Sequence, residues 1–231
     1  MTVSFVGSAS AEATSVTLPT HQAGDLLILF VLRNGSTTPI TPPAGWMVAG
    51  TATFGAATAS LQTVFKIAAS SAETSGTWTG ASLIGCVVYR DDTNYITLTA
   101  PSGARNGAVS TTVTYAQKAS YTTATVPGSV SDRMFRATDW VGAIGATTSG
   151  TVTTGGTPSG MTSRLTATGA SANGLYSFDT NAAVATFSST TTTAASNIAW
   201  VTATFEILDT GIAKTAAASF RPVNIRGGAD Q

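Results

Sequence analysis

The sequence predicts an all-β protein, an antiparallel and jelly-roll-like β-sandwich of about ten strands, followed by an extended C-terminal tail. Three observations support this fold class. Short apolar or alternating segments recur between clusters of Gly, Pro, Asn and Ser. Threonine, a β-branched residue that suits a pleated surface, makes up roughly a fifth of the chain. No segment sustains the 3.6-residue period of a helix. We assign residues 1–208 to the sandwich and residues 209–231 to the tail.

Taken in chain order, the predicted strands are bounded by residues that are typical of turns. They are residues 4–6, 15–18, 25–33, 61–67, 83–90, 109–115, 139–141, 161–165, 174–179 and 198–207. The stretches 147–159 and 188–193, rich in Thr with Gly or Ser, are predicted as a loop and a turn. The Thr-Pro-Pro-Ala-Gly run before Trp46 is a rigid loop, because proline fixes φ and lacks an amide donor.

Two strands are continuously apolar and are expected to be buried on both faces, namely residues 25–33 and 83–90. The last strand alternates instead, which gives it two distinct faces. Its faces are Trp200, Thr202 and Thr204 on one side and Val201, Ala203, Phe205 and Ile207 on the other. The predicted core comprises Leu27, Leu29, Phe30, Val64, Phe65, Ile84, Cys86, Val88, Val201, Ala203 and Phe205. Cys86 has no basic neighbour along the chain and is predicted to be a buried, inert thiol.

The composition argues against several classes of function. Hydrophobic residues form 43% of the chain and charged residues 10%, with Lys+Arg 11 equal to Asp+Glu 11. This balance argues against a nucleic-acid binder, which needs a basic surface. One cysteine excludes an internal disulfide, and one histidine excludes any site that needs two. The N-terminus lacks the pattern of a signal peptide, and the longest apolar run is far below the ~20 residues that span a bilayer.

Candidate chemical sites are few. His21 and Asp25, four positions apart, could form a hydrolytic pair. The favoured interpretation is that His21 is a loop histidine and that the Asp25 carboxylate accepts hydrogen bonds from nearby backbone N–H groups. Asp91-Asp92 and Asp179 with Asn181 could bind calcium, yet these residue types more often stabilise turns. No pair of carboxylates marks a glycosidase. We therefore predict no enzyme activity, no catalytic residue, no cofactor and no bound metal.

Ligand or interface contacts are expected at two places. For each tryptophan, packing in the core is a stronger expectation than contact with a ligand. Trp78, which is flanked by threonines, is nevertheless the best candidate for an exposed ring on which a sugar could stack. The tail has sparse apolar residues and an Arg-Pro step that disfavours helix. We predict an extended arm that contacts another subunit or another protein of the same assembly. Its expected contacts are Phe220, Arg221, Ile225 and Arg226.

The residues also carry a resemblance. The runs 24–30, 33–36 and 43–46, then 66–68, 73–79 and 88–90, and finally 179–181 with 200–207, resemble a family of small tailed-bacteriophage virion proteins. The resemblance implies a tail, fibre or head-decoration protein with a β-sandwich fold, and it brings no catalytic residues. The tail after Leu208 lies outside it.

The sequence thus predicts a non-enzymatic structural component of a tailed-phage virion, assembled in the host cytoplasm and released by lysis. The expected partners are other virion proteins and copies of itself, as a homotrimer, without nucleic acid or membrane. The alternative is a receptor-binding module that recognises a host-surface carbohydrate.

Overall fold

The structure is a computed structural model that describes residues 3–54, 57–98, 102–105, 110–115, 124–126, 130–133, 139–148, 156–184 and 187–214. These residues form an all-β, sandwich-like fold with fifteen strands in the described part, more than the ten or so expected from the sequence. The strands are β1 Ser4–Ala11, β2 Leu26–Asn34, β3 Met47–Thr53, β4 Ala59–Ile67, β5 Leu83–Arg90, β6 Asn94–Leu98, β7 Ser102–Arg105, β8 Ser110–Tyr115, β9 Ala124–Val126, β10 Val130–Arg133, β11 Trp140–Thr147, β12 Thr162–Thr168, β13 Gly174–Asp179, β14 Thr190–Ile198 and β15 Trp200–Ala213. A single 3₁₀ turn, Ala170–Ala172, precedes β13 in this part of the chain.

Two antiparallel sheets form the body of the fold. The front sheet has the order β1-β5-β2-β4-β3, and the middle sheet has the order β12-β13-β11-β15-β6, with β7 also paired to β15. Between them lies the principal core, in which Leu26, Ile28 and Phe30 of β2 share one cluster with Val201 and Phe205 of β15. The sandwich-like prediction is therefore confirmed, whereas jelly-roll connectivity stays a prediction.

Each sheet also has a second covered face. The loop layer, which we define as residues 12–24, 35–46 and 68–82, packs Val16, Ile40, Trp46 and Trp78 against the front sheet. On the far side of the middle sheet, the ribbon of β8 and β14 contributes Val113 and Tyr115 to a further cluster. Because β2 and β5 lie inside the front sheet with both faces covered, their continuously apolar sequences are explained.

The predicted core is confirmed at every position. Leu27, Leu29, Phe30, Val64, Ile84, Cys86, Val88, Val201 and Phe205 are 0% exposed, Phe65 is 1% exposed and Ala203 is 5% exposed. The two faces of the last strand are also separated as expected, since Trp200 belongs to the ribbon cluster and Val201, Ala203, Phe205 and Ile207 to the principal core.

Several predicted boundaries are wrong. Residues 15–18 are not a strand. The Val16 N–H donates to the hydroxyl of Ser75 and not to the backbone of a neighbouring strand. Residues 190–193, predicted as a turn, begin β14 and pair with β8. Strand β3 was not predicted, because its glycine and alanines give no strand pattern.

The last strand of the sandwich is longer than predicted. Strand β15 continues to Ala213, beyond the predicted domain end at residue 208. The reason is a partner that the sequence did not reveal: β6 pairs with residues 207–213, and the buried Asp209 accepts from the Asn94 side chain. Residues 215–231 lie outside the described part of the chain. No helix in the described residues is long and apolar enough to cross a membrane.

Candidate functional site

Trp78 lies in the interior and not at the surface, which corrects its assignment as a ligand contact. Its side chain is 0% exposed and meets Trp46 edge-on, with ring centroids 6.3 Å apart. The indole Nε1–H donates to the Ser75 carbonyl at 2.9 Å, and the Trp78 amide donates to the Thr14 carbonyl at 2.6 Å. Trp78 therefore anchors the loop layer to the front sheet and offers no face to a sugar. The other predicted contacts, Phe220, Arg221, Ile225 and Arg226, lie outside the described residues.

The surface of the loop layer carries an open groove of about 500 Å³. We call it the loop-layer groove. It is lined by residues 15–18 and 73–77 together with His21 and Ser71. Val16 is buried beneath it, whereas Ser15 and Thr17 are exposed. The lining is thus a strip of hydroxyl and main-chain groups over an apolar base.

His21 is a buried histidine at the edge of this groove. It is 7% exposed, and its Nδ1 lies 2.7 Å from the Pro19 carbonyl oxygen. Because a carbonyl only accepts, Nδ1 carries the proton and donates it. The Nε2 atom is buried and has no hydrogen-bond partner among the described residues. In the neutral ring, Nε2 is an acceptor.

Glu73 is the charged residue that lines the groove. The carboxylate pairs with Lys66 Nζ through Oε2 and accepts the Ala69 N–H through Oε1 at 2.9 Å. The hydrogen bond from Lys66 and then that from Ala69 lower the pKa of Glu73 below its ordinary value of 4.5. Lys66 in turn lies over the Trp46 ring, 5.5 Å from the centroid. Glu73 therefore stays ionised and fixes the loop that follows β4.

The structure does not join His21 to Asp25 as a hydrolytic pair. Both carboxylate oxygens of Asp25 accept from Arg90, at 2.8 and 2.7 Å, and Oδ2 also accepts the Gln22 N–H at 2.9 Å. The favoured interpretation of the sequence, a carboxylate that satisfies nearby backbone, is confirmed for Asp25. Its additional partner, Arg90, comes from the end of β5 and was not predicted.

Asp91 and Asp179, which the sequence offered as calcium ligands, accept hydrogen bonds from turn amides and from neighbouring side chains. One oxygen of Asp91 accepts the amides of Thr93 and Asn94 at 2.7 and 2.9 Å. Asp179 accepts from Arg164, Tyr89 and the Asn181 amide. Within the residues that the structure describes, no group of three or more His, Cys, Asp or Glu side chains could hold a metal ion.

A second groove, the end groove, lies at the opposite end of β2 and has a volume of about 530 Å³. Glu12, Asn34 and Asn173 are its main polar side chains. Asn34 Nδ2 donates to Asn173 Oδ1 at 3.0 Å, and Glu12 Oε1 accepts the Ala170 amide at 2.7 Å. The end groove therefore has amide and carboxylate walls that come from both sheets.

Sequence reasoning missed both grooves for one reason. Each is made by segments far apart in the chain, such as residues 15–18 with 73–77, which only the folded loop layer brings together. The strand-like pattern of residues 15–18 is the one local feature of the sequence that points to a groove. In the described part of the structure these residues have no strand partner.

No protein-family model, no curated protein and no solved structure matches this chain.

Proposed function

We propose that the protein is a non-enzymatic structural component of a tailed-phage virion, displayed on the particle as a tail, fibre or capsid-decoration protein. Two observations support this role. The first is the resemblance to small phage virion proteins that is expected from the residue runs given above, across most of residues 3–208. The described ion pairs, moreover, connect segments of the scaffold to one another.

The use of charge is the observation that carries the proposal. In a chain with only 10% charged residues, Arg90 holds Asp25, Arg164 holds Asp179 and Lys66 holds Glu73. Each pair fixes a strand end or a loop on a sheet. Many exposed positions of the described residues are threonines and serines, for example Thr17, Thr37, Thr38 and Thr51, which stay hydrated without ion pairs that salt would screen. Such a surface suits a protein displayed outside a cell.

Purified particles provide the test. Particles released by lysis from cells that carry the gene would be banded on a density gradient and analysed by quantitative mass spectrometry. We expect the chain in the particle band, in a fixed ratio to the major capsid or tail protein. A lysate from cells with the gene deleted is the control. Recovery only in the soluble fraction would exclude the structural role.

Recognition of a host-surface carbohydrate is the second candidate, and the end groove favours it. Carboxylate and amide side chains are the polar groups that orient a ligand in a cleft. The burial of Trp78 removes the aromatic platform that the sequence offered, so this function would depend on Glu12, Asn34 and Asn173. A glycan array comparing the native chain with Asn34→Ala tests it, with loss of binding expected in the variant. Absence of any hit for the native chain would exclude this function.

A further inference from the structure

The loop-layer groove has the features of a site for an extended polypeptide. Residues 15–18 have a strand-like sequence, Ser-Val-Thr-Leu, but pair with no strand in the described structure. Among the described residues, the hydrogen bond along this segment is that of the Val16 amide to Ser75 Oγ, at 3.0 Å. The main-chain groups of the exposed Ser15 and Thr17 are therefore open to a partner. Unpaired strand-like backbone beside a groove is the geometry in which an added peptide strand is recognised.

His21 adds a second, independent feature to the same groove. The side chain is 7% exposed, and its Nε2 has no partner in the part of the chain that the structure describes. An unpartnered acceptor at this depth matches a ligand that brings N–H or O–H donors. A polypeptide rich in main-chain amides and hydroxyl side chains is such a ligand.

The chain itself supplies a segment at the right place. Strand β15 brings Lys214 beside Gly24, where a Cβ on the glycine would lie 2.8 Å from Lys214 Cε. Gly24 is three positions from His21, so the described chain ends near the groove. Residues 215–231 follow, and at about 3.3 Å per extended residue they can reach about 56 Å. Glu73, the charged residue of the groove, is already paired with Lys66, so the reach of residues 215–231 and the position of Lys214, and not charge, favour this segment as the occupant.

We propose that the loop-layer groove receives the C-terminal segment, residues 215–231, as an added strand alongside residues 15–18. The segment comes from the same copy or from a neighbouring copy of this chain, and the experiment below distinguishes these sources. The inference stands on the groove and on the position of Lys214, and it does not depend on the virion role.

Disulfide trapping in the full chain tests the proposal. Thr17→Cys in the groove is combined with Ser219→Cys in the C-terminal segment, and the native Cys86 is 0% exposed and does not compete. Under mild oxidation we expect this pair to form a disulfide at least about tenfold faster than a control pair, because docking raises the effective concentration of the two thiols. The matched control is Thr51→Cys with Ser219→Cys, since Thr51 is an exposed threonine on β3. Circular dichroism would verify that both variants are folded.

Gel mobility and peptide mass mapping then report the source of the segment. A crosslinked dimer band shows docking between copies, and a crosslinked monomer shows docking within one copy; both support the proposal. An excess of synthetic peptide 215–231 should lower the crosslinking rate of the groove pair and leave the control pair unchanged. Equal rates for the two pairs, or a groove rate that the peptide does not change, would overturn it. Neither result bears on recovery of the chain in particles, so the two proposals fail separately.

Discussion

Cys86 shows how burial controls reactivity at the scale of one residue. Its side chain is 0% exposed inside β5, and burial raises the pKa of the thiol. Because the thiolate is the reactive form, we expect negligible labelling by a thiol reagent under native conditions and rapid labelling in denaturant. The Thr51→Cys variant gives the rate for an exposed thiol on the same fold. Native labelling of Cys86 at the denatured rate would show that the front sheet opens readily.

Phe205 is one of the large, fully buried side chains of the principal core. It is 0% exposed, its ring centroid lies 6.0 Å from that of Phe30, and Gly142 leaves the space that the ring fills. Phe205→Ala should lower the free energy of unfolding by about 3–5 kcal/mol. Urea unfolding measures this, with the exposed Thr51→Ala as a control that should change little. A loss below about 1 kcal/mol would mean that the two sheets do not meet at this residue.

Glu73 should make stability depend on pH. Its pKa is lowered by the hydrogen bonds from Lys66 and Ala69, so the stabilisation is complete above the ordinary value of 4.5 and is lost as the pH falls through the lower folded-state pKa. We therefore expect the stability difference between the native chain and Glu73→Gln to be constant near neutral pH and to shrink in acid. Urea midpoints measured at a series of pH values check this. A difference that grows towards low pH would contradict it.

At the scale of elements, Asp179 links strands from both sheets. The carboxylate at the end of β13 accepts from Arg164 Nε of β12 at 2.7 Å and from the Tyr89 hydroxyl of β5 at 3.0 Å. Asp179 is 0% exposed, and the Arg164 side chain is 13% exposed. Asp179→Ala would leave Arg164 largely buried without its carboxylate partner, and should cost about 3–5 kcal/mol.

Tyr89→Phe is the matched variant for this network. It removes one hydrogen bond and keeps the ion pair, so the expected loss is about 1 kcal/mol. Chemical denaturation of both variants gives the comparison. Equal losses would show that the ion pair between β12 and β13 adds no stability beyond that of the tyrosine hydrogen bond.

The edge strands share a protective feature. The register shifts between Phe5 and Gly7 in β1, between Val48 and Gly50 in β3, and between Ser163 and Leu165 in β12. Irregularities of this kind interrupt the regular row of N–H and C=O groups that another sheet edge could join. At these three edges the shifts therefore shorten the regular stretch of backbone that another strand could pair with.

At the scale of the whole molecule, the end of β15 decides where the folded unit stops. A chain that ends at Lys214 keeps the pairing of β6 with residues 207–213, and we expect it to be clearly more stable than a chain that ends at Leu208. A chain that ends at Leu208 keeps the pairs of Ile207 and Leu208 with β6 but loses the pairs formed by residues 209–213. It also loses the contacts of Asp209 with Asn94 and Asp139. Urea unfolding of the two truncations gives the comparison. Equal stabilities would place residues 209–213 in the tail after all.

The sequence by itself determined the all-β class, the buried strands and the core. These follow from local properties: β2 and β5 are apolar at successive positions, and β15 alternates, so hydrophobicity alone orients each side chain. It also indicated that Asp25 accepts from nearby backbone, because that contact lies within a few residues.

Only the tertiary structure decided what depends on contacts between distant segments. Trp78 is buried because the loop layer folds it against Trp46, and residues 15–18 stay unpaired because Ser75 meets them in place of a strand. Arg90 reaches Asp25 across 65 positions, and Asn94 reaches Asp209 across 115. Local pattern reports whether a residue prefers the interior. Which partner it finds there depends on how the chain closes its long loops, and no short window of sequence contains that information.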